Sequence, residues 1–150
     1  MADGTATHRD YDLIVIGSGP AGEKAAIEAS KHRKSTAIIE KQSVQGGVCL
    51  HTGTIPSKTL RETVLYIAGL RQRSVYGLVG GARSGLTIKE LMYRKGQVIQ
   101  QELDVIAQNM ARHRIEVIHG TGMIADPHTV VVSADDSSTR ILKSEAIIVS

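Results

Sequence analysis

From residue 11 onward, the chain alternates short apolar runs with longer amphipathic ones. Tyr11 to Ile16 reads Y-D-L-I-V-I. A nearly continuous apolar run of that length predicts a parallel strand buried on both faces. Gly17 to Gly22 interrupts it, and Glu23 to Lys31, rich in Ala, Glu and Lys, predicts a helix. Thr36 to Ile39 is a second apolar strand, ended by Glu40. Strand, helix and strand within about 30 residues make one βαβ unit.

The pattern then loosens. Lys41 to Gly53 is rich in glycine and polar residues and predicts an ordered loop. Pro56 suits the first turn of a helix, where its missing amide hydrogen is not needed. That helix is predicted to reach about Arg73, with Leu60, Val64, Leu65, Ile67 and Leu70 on its apolar face. Ser74 to Leu86 holds four glycines and predicts a surface connection. Thr87 and Glu90 have capping-box spacing and open a long helix to about His113, with Leu91, Val98, Leu103, Ile106 and Met110 as apolar positions.

Short strands are predicted at Ile115 to Ile118, Gly122 to Ile124, Thr129 to Ser133, Thr139 to Leu142 and Ala146 to Val149. Asp126-Pro127 and Asp135-Asp136-Ser137 supply turns among them. The sum is an α/β fold of Rossmann-like type: a central parallel sheet with helices and a small added antiparallel β-meander. Residues 1–10 are polar and unpatterned and predict a flexible tail, leaving 11–150 as one domain.

Composition narrows the classes. At 150 residues and 41% hydrophobic, the chain can bury one core. No apolar run approaches the roughly 18 residues of a membrane span, and the N-terminus lacks a secretory apolar stretch. The expectation is a soluble, cytoplasmic protein. Cys49 is the single cysteine, so no internal disulfide can form.

The net charge of +3 sits largely in Lys31-His32-Arg33-Lys34, Arg71-Gln72-Arg73 and Arg112-His113-Arg114. Each cluster falls at a predicted helix C-terminus, where cations offset the helix dipole. Three dispersed caps do not make a nucleic-acid stripe, and 3% aromatic residues give no base-stacking platform. The histidines are scattered without metal-ligand spacing.

The chemistry begins at Gly17-Ser18-Gly19-Pro20-Ala21-Gly22, a G-x-G-x-x-G string between strand and helix. Gly17 permits the tight turn, Gly19 lets the backbone approach a pyrophosphate, and Gly22 lets the helix pack on the strand. The helix N-terminus offers amides and partial positive charge to phosphates. Glu40 lies eighteen residues past Gly22. A carboxylate there accepts hydrogen bonds from adenosine ribose hydroxyls and repels a 2′-phosphate, which suits FAD or NAD and not NADP.

A second motif runs from Gly46 to Lys58: G-G-V-C-L-H-T-G-T-I-P-S-K. Here the sequence resembles the flavoprotein disulfide reductase superfamily, which includes glutathione reductase and dihydrolipoyl dehydrogenase. In that family the segment reads G-G-x-C, four residues, a second cysteine, then I-P-S-K, and the two cysteines form a redox disulfide beside the flavin. Here Thr54 stands at the second position. A hydroxyl cannot serve a disulfide relay, and the branch this chain resembles is that of the soluble, flavin-dependent NAD(P) transhydrogenases. Thr59-Leu60-Arg61-Glu62 is similar to that branch too.

The resemblance implies FAD as cofactor, NAD(H) and NADP(H) as substrates, and hydride transfer from NADPH through the flavin to NAD without a side-chain nucleophile. It implies that Gly46, Gly47, Val48 and Cys49 line the FAD phosphates and ribityl chain, with Lys41 beside Glu40. Lys58 would support negative charge on the reduced ring; the other reading is a surface lysine. Cys49 is either a packed small residue or a reactive thiol. Gly120-Thr121-Gly122 either contacts adenine, as the family implies for Thr121 and Gly122, or is a plain turn. Family members are roughly three times longer, with an NAD(P)-binding domain and a dimerisation domain that imply a homo-oligomer. The expectation is therefore a fragment or a truncated product that supplies the FAD-binding part. The alternatives are an inactive FAD-binding remnant and a disulfide-lacking relative using another acceptor.

Overall fold

A computed structural model describes residues 10–75 and 87–150. The predicted tail and most of the connection between Ser74 and Leu86 lie outside them. The chain divides into two compact units. One holds the described residues up to Gly47 together with Val105–Ser150, and the other holds those of Val48–Asp104.

The first unit is built on a six-stranded sheet of order β3-β2-β1-β6-β5-β4. The strands are β1 (Tyr11–Ile16), β2 (Thr36–Glu40), β3 (Glu116–His119), β4 (Thr121–Asp126), β5 (Thr129–Ser133) and β6 (Thr139–Val149). β3, β2, β1 and the end of β6 run parallel, while β4, β5 and the start of β6 form the antiparallel meander. Helix α1 (Pro20–Lys31) crosses from β1 to β2.

Two predicted strands are one. β6 pairs with β5 up to Lys143 and with β1 from Ser144 onward. Lys143-Ser144-Glu145 breaks the apolar pattern, yet the backbone continues. The Lys143 amide bonds the Asp10 carboxylate at 2.9 Å, and the Ser144 amide bonds the His128 carbonyl at 2.9 Å. Backbone pairing, not side-chain hydrophobicity, carries the strand across the change of partner.

Ile14, Ala37, Ile39 and Ile118 on one face of the parallel strands join Val130, Val132 and Leu142 of the meander in one buried cluster. With period-2 alternation, Leu13, Val15 and Ile38 point the other way, towards the α1 side. Both faces of β1 and β2 are therefore covered, which is why their sequences read as unbroken apolar runs.

α1 ends in a Schellman motif: Arg33 takes φ 61°, its amide bonds Ser30, and the Lys34 amide bonds Ala29. Arg114, at φ 53°, closes α4 (Ile88–Arg112) in the same way, with bonds to Ala111 and from Ile115 to Met110. The two basic clusters at these ends are thus cap sequences.

The second unit holds the short helix α2 (Gly47–His51, from Val48 on), α3 (Thr54–Val75) and α4 up to Asp104. The predicted loop from Lys41 to Gly53 thus contains a helical turn. Thr87 and Glu90 make the reciprocal capping box, with Glu90 Oε2 accepting from the Thr87 amide at 2.9 Å and the Glu90 amide reaching Thr87 Oγ1 at 3.3 Å.

The apolar face read for α3 is displaced. Val64 and Leu65 are exposed, whereas Pro56 and Thr59 are buried and Leu60, Thr63 and Ile67 half-buried. The stripe contains threonines, which a hydropathy pattern misses. Thr59 and Thr63 donate their hydroxyls to the carbonyls of Ile55 and Thr59, at 2.9 and 2.8 Å, and so bury little unpaired polarity.

Candidate functional site

The carboxyl ends of four parallel strands meet at one edge of the first unit. Gly17 follows β1, Glu40 ends β2, Gly120 follows β3 and Ser150 follows β6. Backbone bonds tie them in a row: Gly17 N to Ile39 O at 2.8 Å, Gly120 N to Glu40 O at 3.0 Å, and Ser150 N to Ile16 O at 2.9 Å. β1 is where the chain order reverses, with β2 on one side and β6 on the other. Ligands of open α/β sheets bind outside the carboxyl ends at such a switch point.

Two fingerprint glycines answer to the fold itself. Gly17 has φ 104°, and a Cβ there would run into the carbonyl oxygen of Ser150. A Cβ on Gly22 would strike the Gly17 carbonyl and come within 3.1 Å of Val15 Cγ1. Gly19 is different. Its φ of −64° suits any residue, and a Cβ there would meet nothing closer than Ser150 Oγ at 3.9 Å. The half-buried Gly19 therefore faces space that the described residues leave open.

Pro20 opens α1 without an amide hydrogen, and Gly22 donates to Ser150 Oγ at 2.9 Å. Ser150 thus performs from another strand the capping that Gly19 has no side chain to do. Ala21, exposed, carries the first-turn amide that the helix leaves over. Gly47 closes on the same turn: a Cβ there would lie 3.0 Å from Gly19 Cα.

Glu40 is 6% exposed. Its Oε2 accepts from the Ser18 amide at 2.9 Å and the Ser18 hydroxyl at 2.5 Å, and its Oε1 accepts from the Gln42 amide at 2.9 Å. Burial pushes the carboxyl up. The Ser18 hydroxyl and the amides of Gln42, Ser18 and Lys41 outweigh burial and hold it below the ordinary carboxylate value. Glu40 is therefore an anion at neutral pH.

The remaining predicted residues are placed as follows. Lys41 is exposed and Gly46 buried in the loop after β2, with the Gly46 amide on Ser18. Gly120 (φ 146°) and Gly122 are both accounted for by packing: a Cβ on the first would lie 2.7 Å from Ser133 O, and on the second 3.2 Å from Ile39 Cγ2. Thr121 is exposed at the start of β4. In the second unit, Val48 is exposed, Cys49 is half-buried and unoxidised in α2, and Thr54 and Lys58 are exposed on α3. Among the described residues, no cluster of potential metal ligands occurs, and no helix is long and apolar enough to cross a membrane.

Sequence reasoning missed Ser150, which caps α1 from 128 positions away. Ser18 is read from the sequence as a cofactor-binding residue, but the bond of its hydroxyl to Glu40 has no signal there.

The family described as pyridine nucleotide-disulphide oxidoreductase matches residues 11–150. The chain belongs to that family. It is 49% identical over 132 residues to the soluble pyridine nucleotide transhydrogenase of Mycobacterium tuberculosis (strain ATCC 25177 / H37Ra), covering 88% of this chain and 28% of that protein. Proteins of the same name from Chromohalobacter salexigens and Marinomonas sp. are 36% and 34% identical, over 93% and 95% of this chain and 30% and 31% of theirs. The chain thus spans less than a third of the length of these curated relatives. The family's name includes a disulphide, yet these 150 residues hold one cysteine, Cys49.

Proposed function

We propose that this chain is the FAD-binding part of a soluble pyridine nucleotide transhydrogenase that moves hydride from NADPH to NAD. The open approach to Gly19 carries the reading. Its glycine is required neither by backbone conformation nor by any neighbouring atom, and a bound pyrophosphate needs that space.

The residues fit the group. Gly17, Ser18, Gly19, Pro20, Ala21 and Gly22 form the turn for the pyrophosphate, with the Ala21 amide and the α1 N-terminus as anion donors. Glu40, held ionised, accepts the adenosine ribose hydroxyls and repels a 2′-phosphate. Lys41, Gly46, Gly47, Val48 and Cys49 would hold the rest of the cofactor, and Thr121 and Gly122 would contact its adenine. Lys58 contributes positive charge for the reduced ring. When bound, FAD supplies the hydride-carrying centre. Thr54 puts no second thiol at the partner position of the motif, so Cys49 serves as a packed side chain. The nucleotides are small-molecule partners, in keeping with the names of the relatives, and the whole protein is proposed to be a cytoplasmic homo-oligomer.

The test is the visible spectrum of the purified protein with added FAD. Bound flavin near 1:1, lost in Gly19→Ala while the fold remains, is expected. A wild-type protein that takes up no flavin, or a longer gene product that reduces disulfides and not an NAD analogue, would overturn the reading.

A further inference from the structure

Three separate segments converge on one buried hydroxyl. Ser18 is 3% exposed in the turn after β1. Its Oγ donates to Glu40 Oε2 at the end of β2, at 2.5 Å. The same Oγ accepts the Gly46 amide at 3.2 Å, and that amide also reaches the Ser18 carbonyl at 3.2 Å.

A carboxylate oxygen has two lone-pair positions. Both on Oε2 are taken by Ser18, through its amide and its hydroxyl. Oε1 accepts the Gln42 amide at 2.9 Å, and the Lys41 amide also bears on the carboxylate. We infer that Ser18 is a positioning residue for the adenosine ribose: by occupying Oε2 it holds Glu40 as an oriented anion at the strand end where the ribose is to bind, while it clasps the 41–47 loop to the same point. The inference rests on the flavin reading for its ligand, but not for the hold of Ser18 on Glu40.

Geometry makes the serine specific. A glycine at position 18 would leave Oε2 with one bond and Gly46 with only the backbone carbonyl of residue 18. The depressed carboxyl of Glu40, to which the Ser18 hydroxyl contributes, agrees with this hold. The other titratable groups beside Glu40 are Lys41, next in the chain and exposed, and His119, its register partner on β3, whose Nδ1 lies 3.1 Å from Gln42 O.

The test compares wild type with Ser18→Ala and with Ser18→Cys, which has nearly the same shape but is a weak donor. In the nucleotide-free protein, the Glu40 carboxyl carbon is followed by NMR against pH. Its midpoint should rise from wild type to Cys to Ala, and Gly46 amide exchange should quicken about tenfold. FAD is then titrated at mildly acidic and neutral pH. Wild-type affinity should change little between the two, whereas Ser18→Ala should lose about tenfold at neutral pH and more in acid. In a Glu40→Gln background, the extra acid loss should vanish. A Glu40 midpoint indifferent to Ser18, or an FAD affinity that falls equally at both pH values, overturns the inference. Wild type that binds no FAD while the midpoint still moves sinks the flavin reading and leaves the hold of Ser18 on Glu40 established. Should Ser18→Ala fail to fold, the Cys variant carries the comparison.

Discussion

The turn at Gly17–Gly22 and the turn at Gly120–Gly122 read alike as sequence, since both place paired glycines after a parallel strand. In the structure they differ. Each glycine of the second turn has a close neighbour: the Ser133 carbonyl excludes a side chain at Gly120, and Ile39 and Ile16 would be pressed by one at Gly122. In the first turn, Gly17 and Gly22 are likewise excluded, but Gly19 has open space. A glycine explained by its own fold says nothing about ligands. A glycine that the fold does not need points outward, and Gly19 is the one fingerprint glycine of that kind.

The largest expected effects test the packed glycines. Gly17→Ala, Gly22→Ala and Gly120→Ala each drive a methyl into a carbonyl oxygen, and at Gly17 and Gly120 the backbone is also one that alanine resists. Each should cost about 3 kcal/mol or more in thermal or denaturant melts. Wild-type stability in any of them would break the comparison.

Gly19→Ala should behave in the opposite way. Its melt should stay within about 1 kcal/mol of wild type, the N-cap preference being the only loss. FAD binding should fall by roughly 10- to 100-fold, from a methyl pressed against the pyrophosphate. Equal affinities by fluorescence titration would remove the main support for the flavin site.

Acid should act on the first turn through Glu40. The Glu40 carboxyl is depressed on folding, so its contribution to stability is present above the ordinary carboxylate range and is lost as pH falls through its folded value. Denaturant melts against pH should show that loss in wild type. Glu40→Gln should lack this component, and an identical acid limb in the two proteins would contradict the assignment.

Gly122→Ala gives a smaller and more discriminating result. The side chains of Ile39 and Ile16 can yield by a few tenths of an ångström, and the cost should be roughly 1 kcal/mol. Unchanged FAD affinity would make the turn purely structural, while a selective loss would favour the adenine contact.

The smallest effect has the reverse sign. Arg33 and Arg114 hold left-handed backbone at helix ends. Arg33→Gly and Arg114→Gly should each stabilise by about 0.5–1 kcal/mol in the same melts. No gain at either would mean that contacts of the arginine side chain offset the strain.

Much of this architecture is legible along the chain, for local reasons. β1 and β5 have the predicted bounds, because a strand covered on both faces or pinned by turns is apolar without interruption. The capping box at Thr87 and Glu90 needs only neighbours three residues apart. α3 was misread on its buried face because Thr59 and Thr63 satisfy their hydroxyls within the helix. β6 was split in two because a change of pairing partner has no hydrophobic signature.

The sequence by itself determined the βαβ unit, the fingerprint turn, the acid at the end of the second strand and the loss of the second thiol. Those depend on residue type and near spacing. Only the tertiary structure decided which glycine is open, that Ser150 caps α1, and that Ser18 engages both Glu40 and Gly46. Such contacts join residues 22 to 128 positions apart. They are set by where parallel strands end together in space, a quantity that no periodicity along the chain encodes.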